Sequence, residues 1–344
     1  MNNVLLLLLP LCELLQLIFV SAQSPAIVFQ TMAPTVPRQC FCYSGIVCPA
    51  GTTGGVDVRI VNNGTYCSTG FVYCCSSGGG GGGSNIGINA PTCGRVYIAP
   101  TPQPAGQAAF GEFPWQVALY ARPNIYVGGG ALITSLHVLT AFHKVTSYLN
   151  GGLVARLGEW DFTVTNERYP FRDIDVEMIS NMTFTANNLQ NDIAVLKLKE
   201  PAPIGPPNNP HINTVCLAFG PPVPGTRCKV AGWGKTAFNG QYPQSILKQV
   251  DLPVVSSADC QTALRKTTLG ANFALHSSFM CAGGEAGKDA CIGDGGSALV
   301  CPSNGFQTAV GLVSWGIKCA DGGVPAAYTD VNKFDSWIKS VAVV

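Results

Sequence analysis

The chain has 344 residues, a formal net charge of +1, and only 11% charged residues. That balance excludes a nucleic-acid partner held by a basic stripe. Beyond the first two dozen residues, no segment is long and apolar enough to span a bilayer as a helix.

The start, MNNVLLLLLPLCELLQLIFVSAQS, is apolar with a polar break at Glu13 and ends in the small-residue pattern Val20-Ser21-Ala22. It reads as a signal peptide, residues 1–22, cut after Ala22. A membrane anchor is the competing reading; the run is short and interrupted. Export fits the cysteine count. Cys12 falls in the leader and leaves 14 of the 15 cysteines, an even number. No CxxC pair occurs, so a cysteine-rich metal cluster is a poor rival to disulfides. The sequons at Asn63 and Asn181 are compatible with glycosylation on export.

Residues 40–75 pack six cysteines, Cys40, Cys42, Cys48, Cys67, Cys74 and Cys75, into a unit too small to bury a useful core. VDVRIV within it alternates, is β-branched and predicts a strand. Six cysteines allow fifteen pairings, and the sequence alone does not choose. Residues 76–92 follow, opening SSGGGGGG, and read as a flexible glycine-rich linker.

From Cys93 to Val344 come short alternating or apolar runs. WQVALY, GGALIT, HVLTAF, GLVARL, IAVLKL, RCKVAGW, SALVC and AVGLVSW are the clearest, separated by Gly, Pro and Asn clusters. No strand–helix alternation appears, which predicts an all-β fold. The end, VNKFDSWIKSVAV, spaces Val331, Phe334, Ile338 and Val341 for a closing helix.

Within these runs stand a histidine in LTAFH, an aspartate in NDIAV, a SWG, and CIGDGGSALVC from Cys291 to Cys301. Together they resemble the trypsin-like serine protease domain over the whole region after Cys93. The six-cysteine region ending in an adjacent pair resembles an arthropod clip domain. The whole resembles a clip-domain serine protease homologue. The resemblance implies a double antiparallel β-barrel with a C-terminal helix, preceded by a small disulfide-rich clip domain. It places the triad at His143, Asp192 and Gly295, as base, orienting carboxylate and nucleophile position. Gly295 has no side chain and cannot form an acyl-enzyme. Ser297 lies two residues on, and about 3.3 Å of strand rise per residue carries its hydroxyl away from the reacting position.

The resemblance also assigns the oxyanion-hole N–H groups to Gly293 and Gly295. It assigns the primary pocket to Asp289, Ser314, Gly316 and Ala326, with Ala326 narrowing a wall where glycine is usual. It implies the cystines Cys40–Cys74, Cys42–Cys67, Cys48–Cys75, Cys93–Cys216, Cys228–Cys301, Cys260–Cys281 and Cys291–Cys319. A further family cystine maps to Gly128 and Lys144 and is lost at both ends. The new N-terminus that activates such enzymes has no counterpart at Pro102-Gln103-Pro104-Ala105, and no basic residue stands at Thr101. Its ammonium would pair with Asp294. Arg59 and Arg95 are candidate cleavage sites.

The implied function is that of a non-catalytic cofactor or scaffold in an extracellular immune cascade, acting with prophenoloxidase and its activating clip protease in haemolymph-like fluid. Oligomerisation after cleavage belongs to the same picture. A pattern-recognition or adhesion protein that binds microbial surfaces, and a weak endopeptidase using Ser297, stay open as alternatives. No cofactor is implied. Calcium is left open, because the loop geometry of Glu159 and Glu167 is not readable from sequence.

Overall fold

In this computed structural model the described residues are 40–44, 71–75, 86–218, 220–235 and 244–344. They fall in two units, divided at Gly80. The first unit contributes an antiparallel pair, β1 (Cys40–Ser44) and β2 (Phe71–Cys75), with Cys40 opposite Cys75 and Phe41 opposite Cys74. The leader, the VDVRIV run, Cys48, Cys67, Arg59 and Asn63 lie outside the described residues.

The second unit holds two barrels. In the first, β3 (Gln116–Ala121), β4 (Ile125–Leu132), β5 (His137–Thr140), β6 (Leu153–Leu157), β7 (Arg172–Asn181) and β8 (Ala194–Leu198) close in the order β3-β4-β5-β8-β7-β6. A short helix, α1 (Phe142–Val145), leaves the end of β5. The second barrel carries β9 (Cys216–Leu217), β10 (Arg227–Gly232), β11 (Lys248–Val255), β12 (Phe279–Gly283), β13 (Ala298–Ser303), β14 (Phe306–Trp315) and β15 (Pro325–Asp330). Its order is β13-β10-β11-β12-β15-β14, closed by pairing of β13 with β14, while β9 adds to β14 in parallel. Helix α2 (Ser257–Arg265) is capped by Ser256, whose hydroxyl accepts from the Asp259 N–H.

The strand period explains the packing. Along β3, Val117 and Leu119 enter the first barrel's core, while Ala118 and Tyr120 on the other face join the cluster between the barrels. Both faces are therefore buried, and QVALYA is buried at all six positions. The second barrel fills with Val230, Leu252, Leu299, Val310 and Tyr328. The closing segment is a 3-10 turn (Val331–Phe334) running into helix α3 (Asp335–Val341). Val331, Phe334 and Ile338 are buried against the cluster between the barrels, with Val341 packed beside them.

Four cystines tie this unit: Cys93–Cys216, Cys228–Cys301, Cys260–Cys281 and Cys291–Cys319. Their presence fits an oxidising compartment. Among the described residues, Ile86 is the first of the segment read as linker, and it is already bonded to the barrels. Its N–H donates to Ser135 Oγ at 2.9 Å, and its carbonyl accepts from the Ser135 N–H. The Asn89 amide donates to the Leu217 carbonyl and accepts from the Leu217 N–H. Residues 76–85 lie outside the described residues.

Candidate functional site

The site lies between the barrels. Phe142 and Val145 of α1 are buried, which turns His143 and Lys144 toward the cleft. Asp192 precedes β8 and is wholly buried. Its Oδ1 accepts from the His143 N–H at 2.8 Å and its Oδ2 from His143 Nδ1 at 2.7 Å. Ser314 Oγ donates to the same Oδ2 at 2.6 Å, and Thr329 Oγ1 donates to the Asp192 carbonyl at 2.8 Å. These bonds fix the imidazole ring with its other nitrogen toward Gly295. A base and its orienting carboxylate are thus assembled.

The partner they would serve is missing. A carbon added at Gly295 would stand 3.2 Å from His143 Nε2, so the position faces the base and holds no oxygen. The turn around it is glycine-built for steric reasons. Gly296 has φ +87°, and a Cβ there would lie 2.2 Å from Thr140 Oγ1 and 2.4 Å from the Gly129 carbonyl. Gly295 itself has no left-handed φ. The loss at 295 is therefore one of side chain, not of backbone shape.

Ser297 does not substitute. It is fully buried, and its hydroxyl accepts from Gln116 Nε2 at 3.1 Å. The Gly129 backbone walls it in, since a Cβ on Gly129 would come within 2.0 Å of Ser297 Oγ. A hydroxyl locked there has neither a base nor a path for substrate.

Lys144 occupies the cleft instead. Its stem passes between Gly128 and Gly295: a Cβ at Gly128 would meet Lys144 Cε at 2.6 Å, and one at Gly295 would meet its Cδ at 3.0 Å. Burial lowers the pKa of its amine, and the Asp192 and Asp294 carboxylates offset that only in part. Sequence reading saw Lys144 only as half of a lost cystine. The coincidence of Gly128, Gly295 and a lysine beside His143 was the available signal.

A cavity of about 230 Å³ opens beside His143 and Lys144. Gly293, Gly295, Ser314, Gly316 and Ala326 all border it. Among the described residues no acceptor meets the N–H of Gly293 or Gly295. Ala326 and Gly316 stand on facing sides; a Cβ on Gly316 would lie 3.6 Å from the Ala326 methyl carbon, an ordinary van der Waals contact.

Asp289 is not among the residues that border this cavity. It borders a separate space of about 480 Å³ together with Asp294. Its Oδ2 accepts from the Ala320 N–H at 3.1 Å, and its Oδ1 is buried without a hydrogen-bond partner. Burial pushes its pKa up to about 6. Asp294 is also raised to about 6 by burial, against bonds from the N–H groups of Cys291 and Gly234, both 2.9 Å.

The remaining sequence candidates are dispersed. The Arg95 guanidinium lies over the Phe306 ring, 5.2 Å from its centroid, and the Arg95 carbonyl accepts from Asn213 Nδ2 at 2.9 Å. A protease must strip these contacts before it can take the Arg95-Val96 bond. Asn181 is exposed at the end of β7, as a glycan acceptor must be. Glu167 Oε1 accepts from the Asp161 N–H, and desolvation with the nearby charges of Glu159 and Asp161 holds its pKa at about 7. Among the described residues no group of three or more His, Cys, Asp or Glu is arranged to hold a metal ion.

The sequence profile of the trypsin family, described simply as Trypsin, matches residues 105–338. Over 256 residues the chain is 45% identical to phenoloxidase-activating factor 2 of Galleria mellonella, covering 68% of this chain and 81% of that protein. Over 311 residues it is 44% identical to inactive CLIP domain-containing serine protease A3 of Aedes aegypti, covering 85% of this chain and 63% of that protein. That alignment takes in more of the chain than residues 93–344 provide. A third relative, inactive CLIP domain-containing serine protease A8 of Anopheles gambiae, is 40% identical over 248 residues, 68% of this chain and 65% of that protein. The chain thus spans slightly under two thirds of the length of the two mosquito relatives. With its barrels, its His143–Asp192 pair and no serine at 295, the chain belongs to the trypsin family, as a homologue of the arthropod clip-domain serine proteases, among them members named as inactive.

Proposed function

We propose that this protein is a secreted, non-catalytic cofactor or scaffold in an extracellular immune protease cascade, acting in prophenoloxidase activation. The observation that carries the reading is Gly295, facing a fully assembled His143–Asp192 pair without an oxygen to activate. Such a site retains the shape of a peptide-binding cleft and no covalent chemistry. The similarity to a phenoloxidase-activating factor supports the choice of cascade. Prophenoloxidase and its activating clip protease are the partners this reading names.

Residues 40–75 act as a clip domain in this account, with the cystines Cys40–Cys74, Cys42–Cys67 and Cys48–Cys75. Cleavage at Arg59-Ile60 by an upstream trypsin-like protease changes that module's surface while cystines hold the cut ends. Reconstitution tests the reading. Cut and uncut protein are each added to prophenoloxidase and its activating protease, and phenoloxidase activity is followed. Cut protein raises the activity reached; an unchanged yield with either form defeats the reading. Arg59→Gln protein stays intact and loses the enhancement.

A further inference from the structure

We propose that the emptied cleft is a binding site for the free C-terminal carboxylate of a peptide whose last residue is apolar, with the Lys144 ammonium as its charge partner. The inference rests on the non-catalytic reading of the site and names a ligand for it.

The space exists because two side chains are absent. Gly128 and Gly295 lie against each other; the Gly129 N–H donates to the Gly295 carbonyl at 3.0 Å, and a Cβ at Gly128 would be 2.7 Å from that same oxygen. A larger residue at Gly128 would drive out the Lys144 stem, whose Cε would be only 2.6 Å from the added carbon. The two glycines therefore seat the lysine, which borders the same cavity as Gly293, Gly295 and His143.

The charge needs an anion. The carboxylates that act on Lys144 are already engaged: Asp192 by His143 and Ser314, Asp294 by the N–H groups of Cys291 and Gly234. No hydrogen bond or ion pair joins the Lys144 ammonium to any described residue. The other basic residues that border the cavity are His143, held by Asp192, and Lys318, paired with Asp321 at 3.2 Å. Gly293 and Gly295, whose N–H groups meet no acceptor among the described residues, border the same cavity. One carboxylate oxygen suits this pair and the other suits the ammonium, a charge-assisted arrangement stronger than neutral hydrogen bonds. An internal peptide carbonyl supplies the first contact and no charge for the second. The rest of the wall is mostly apolar, with Ala290, Val313, Trp315, Ile317 and Ala326 beside Ser314 and Lys318, and Asp289 borders a different space. The terminal side chain is accordingly uncharged.

The test uses the full secreted protein and two fluorescent peptides, dye-Gly-Ala-Ala-Leu as the free acid and as the carboxamide, in anisotropy titrations at pH 7. The acid binds at least about tenfold more tightly than the amide, the discrimination that one charge-assisted contact supplies. Lys144→Gln removes the preference, so that the variant binds acid and amide alike. Equal binding of acid and amide overturns the proposal, as does no binding of either up to millimolar protein. A Lys144→Gln protein that keeps the preference overturns it as well. If that variant does not fold, the acid–amide comparison on the wild type decides alone. No phenoloxidase is present, so failure here leaves the cofactor reading standing.

Discussion

The Lys144 side chain lies across Gly295, close enough that a Cβ at 295 would stand 3.0 Å from Lys144 Cδ. That separation is tighter than ordinary van der Waals contact, so the lysine and a serine at 295 compete for the same space. The absence of side chains at Gly128 and Gly295 thus serves one stem, because a Cβ at either would meet Lys144.

Gly295→Ser alone is therefore expected to stay nearly inert. The new hydroxyl must share its place with the Lys144 stem, and errors of roughly 1 Å in reacting geometry cost about 100-fold. The Gly295→Ser protein should react with a fluorophosphonate at least about 100-fold more slowly than trypsin does. Adding Lys144→Ala should speed that labelling by about tenfold, because it clears the stem without touching His143 or Asp192. A single variant that labels at a trypsin-like rate would show that Lys144 is no obstruction.

Ser297 is expected to matter for stability and not for chemistry. Its buried hydroxyl satisfies the Gln116 amide, so Ser297→Ala leaves a buried donor without a partner. The cost should be about 1–3 kcal/mol in urea unfolding. Neither wild type nor variant should take up fluorophosphonate. Labelling mapped to Ser297 would revive the endopeptidase alternative.

Gly129→Ala probes the same wall from the other side. The added methyl would lie 2.0 Å from Ser297 Oγ and 3.0 Å from its Cβ, in a region with no slack. Overpacking of this kind costs about 1–3 kcal/mol. Combining it with Ser297→Gly should recover part of the loss. If the double variant is the sum of the two single ones, the contact is not the cause.

These residues show which parts of the molecule the sequence made legible. Eight apolar runs from WQVALY to AVGLVSW fall on strands, because burial on one or both faces leaves a dense apolar signature. Strand β7 escaped notice since only Ile174 of RDIDVEMISN is buried, and its charges face solvent. Strand β11 carries Lys248, Asp251 and Pro253, and β15 opens on Pro325; each breaks the usual pattern yet pairs on both sides. The site was legible as motif positions. Its Lys144 was legible only as the partner of Gly128 in a lost cystine; that its stem lies over Gly295 depends on side-chain packing, which no linear pattern carries.

Asp289 gives a pH signature whose sign is fixed by its burial. Its carboxyl titrates at about 6 in the fold, against an ordinary value of 3.8. A group raised in this way contributes stability that is fully present below about 3.8 and lost as pH rises through about 6, since the folded state holds the proton longer. The difference between the two values corresponds to about 3 kcal/mol. Asp289→Asn removes the titration and keeps an oxygen to accept from the Ala320 N–H. Wild type should therefore lose stability relative to Asp289→Asn between pH 4 and pH 7, with most of the change between pH 4 and 6. Urea unfolding of both proteins at pH 4, 5, 6 and 7 measures it. A stability difference that stays flat across the series would mean that Asp289 titrates as an ordinary solvated carboxylate, with water reaching the oxygen that is buried here.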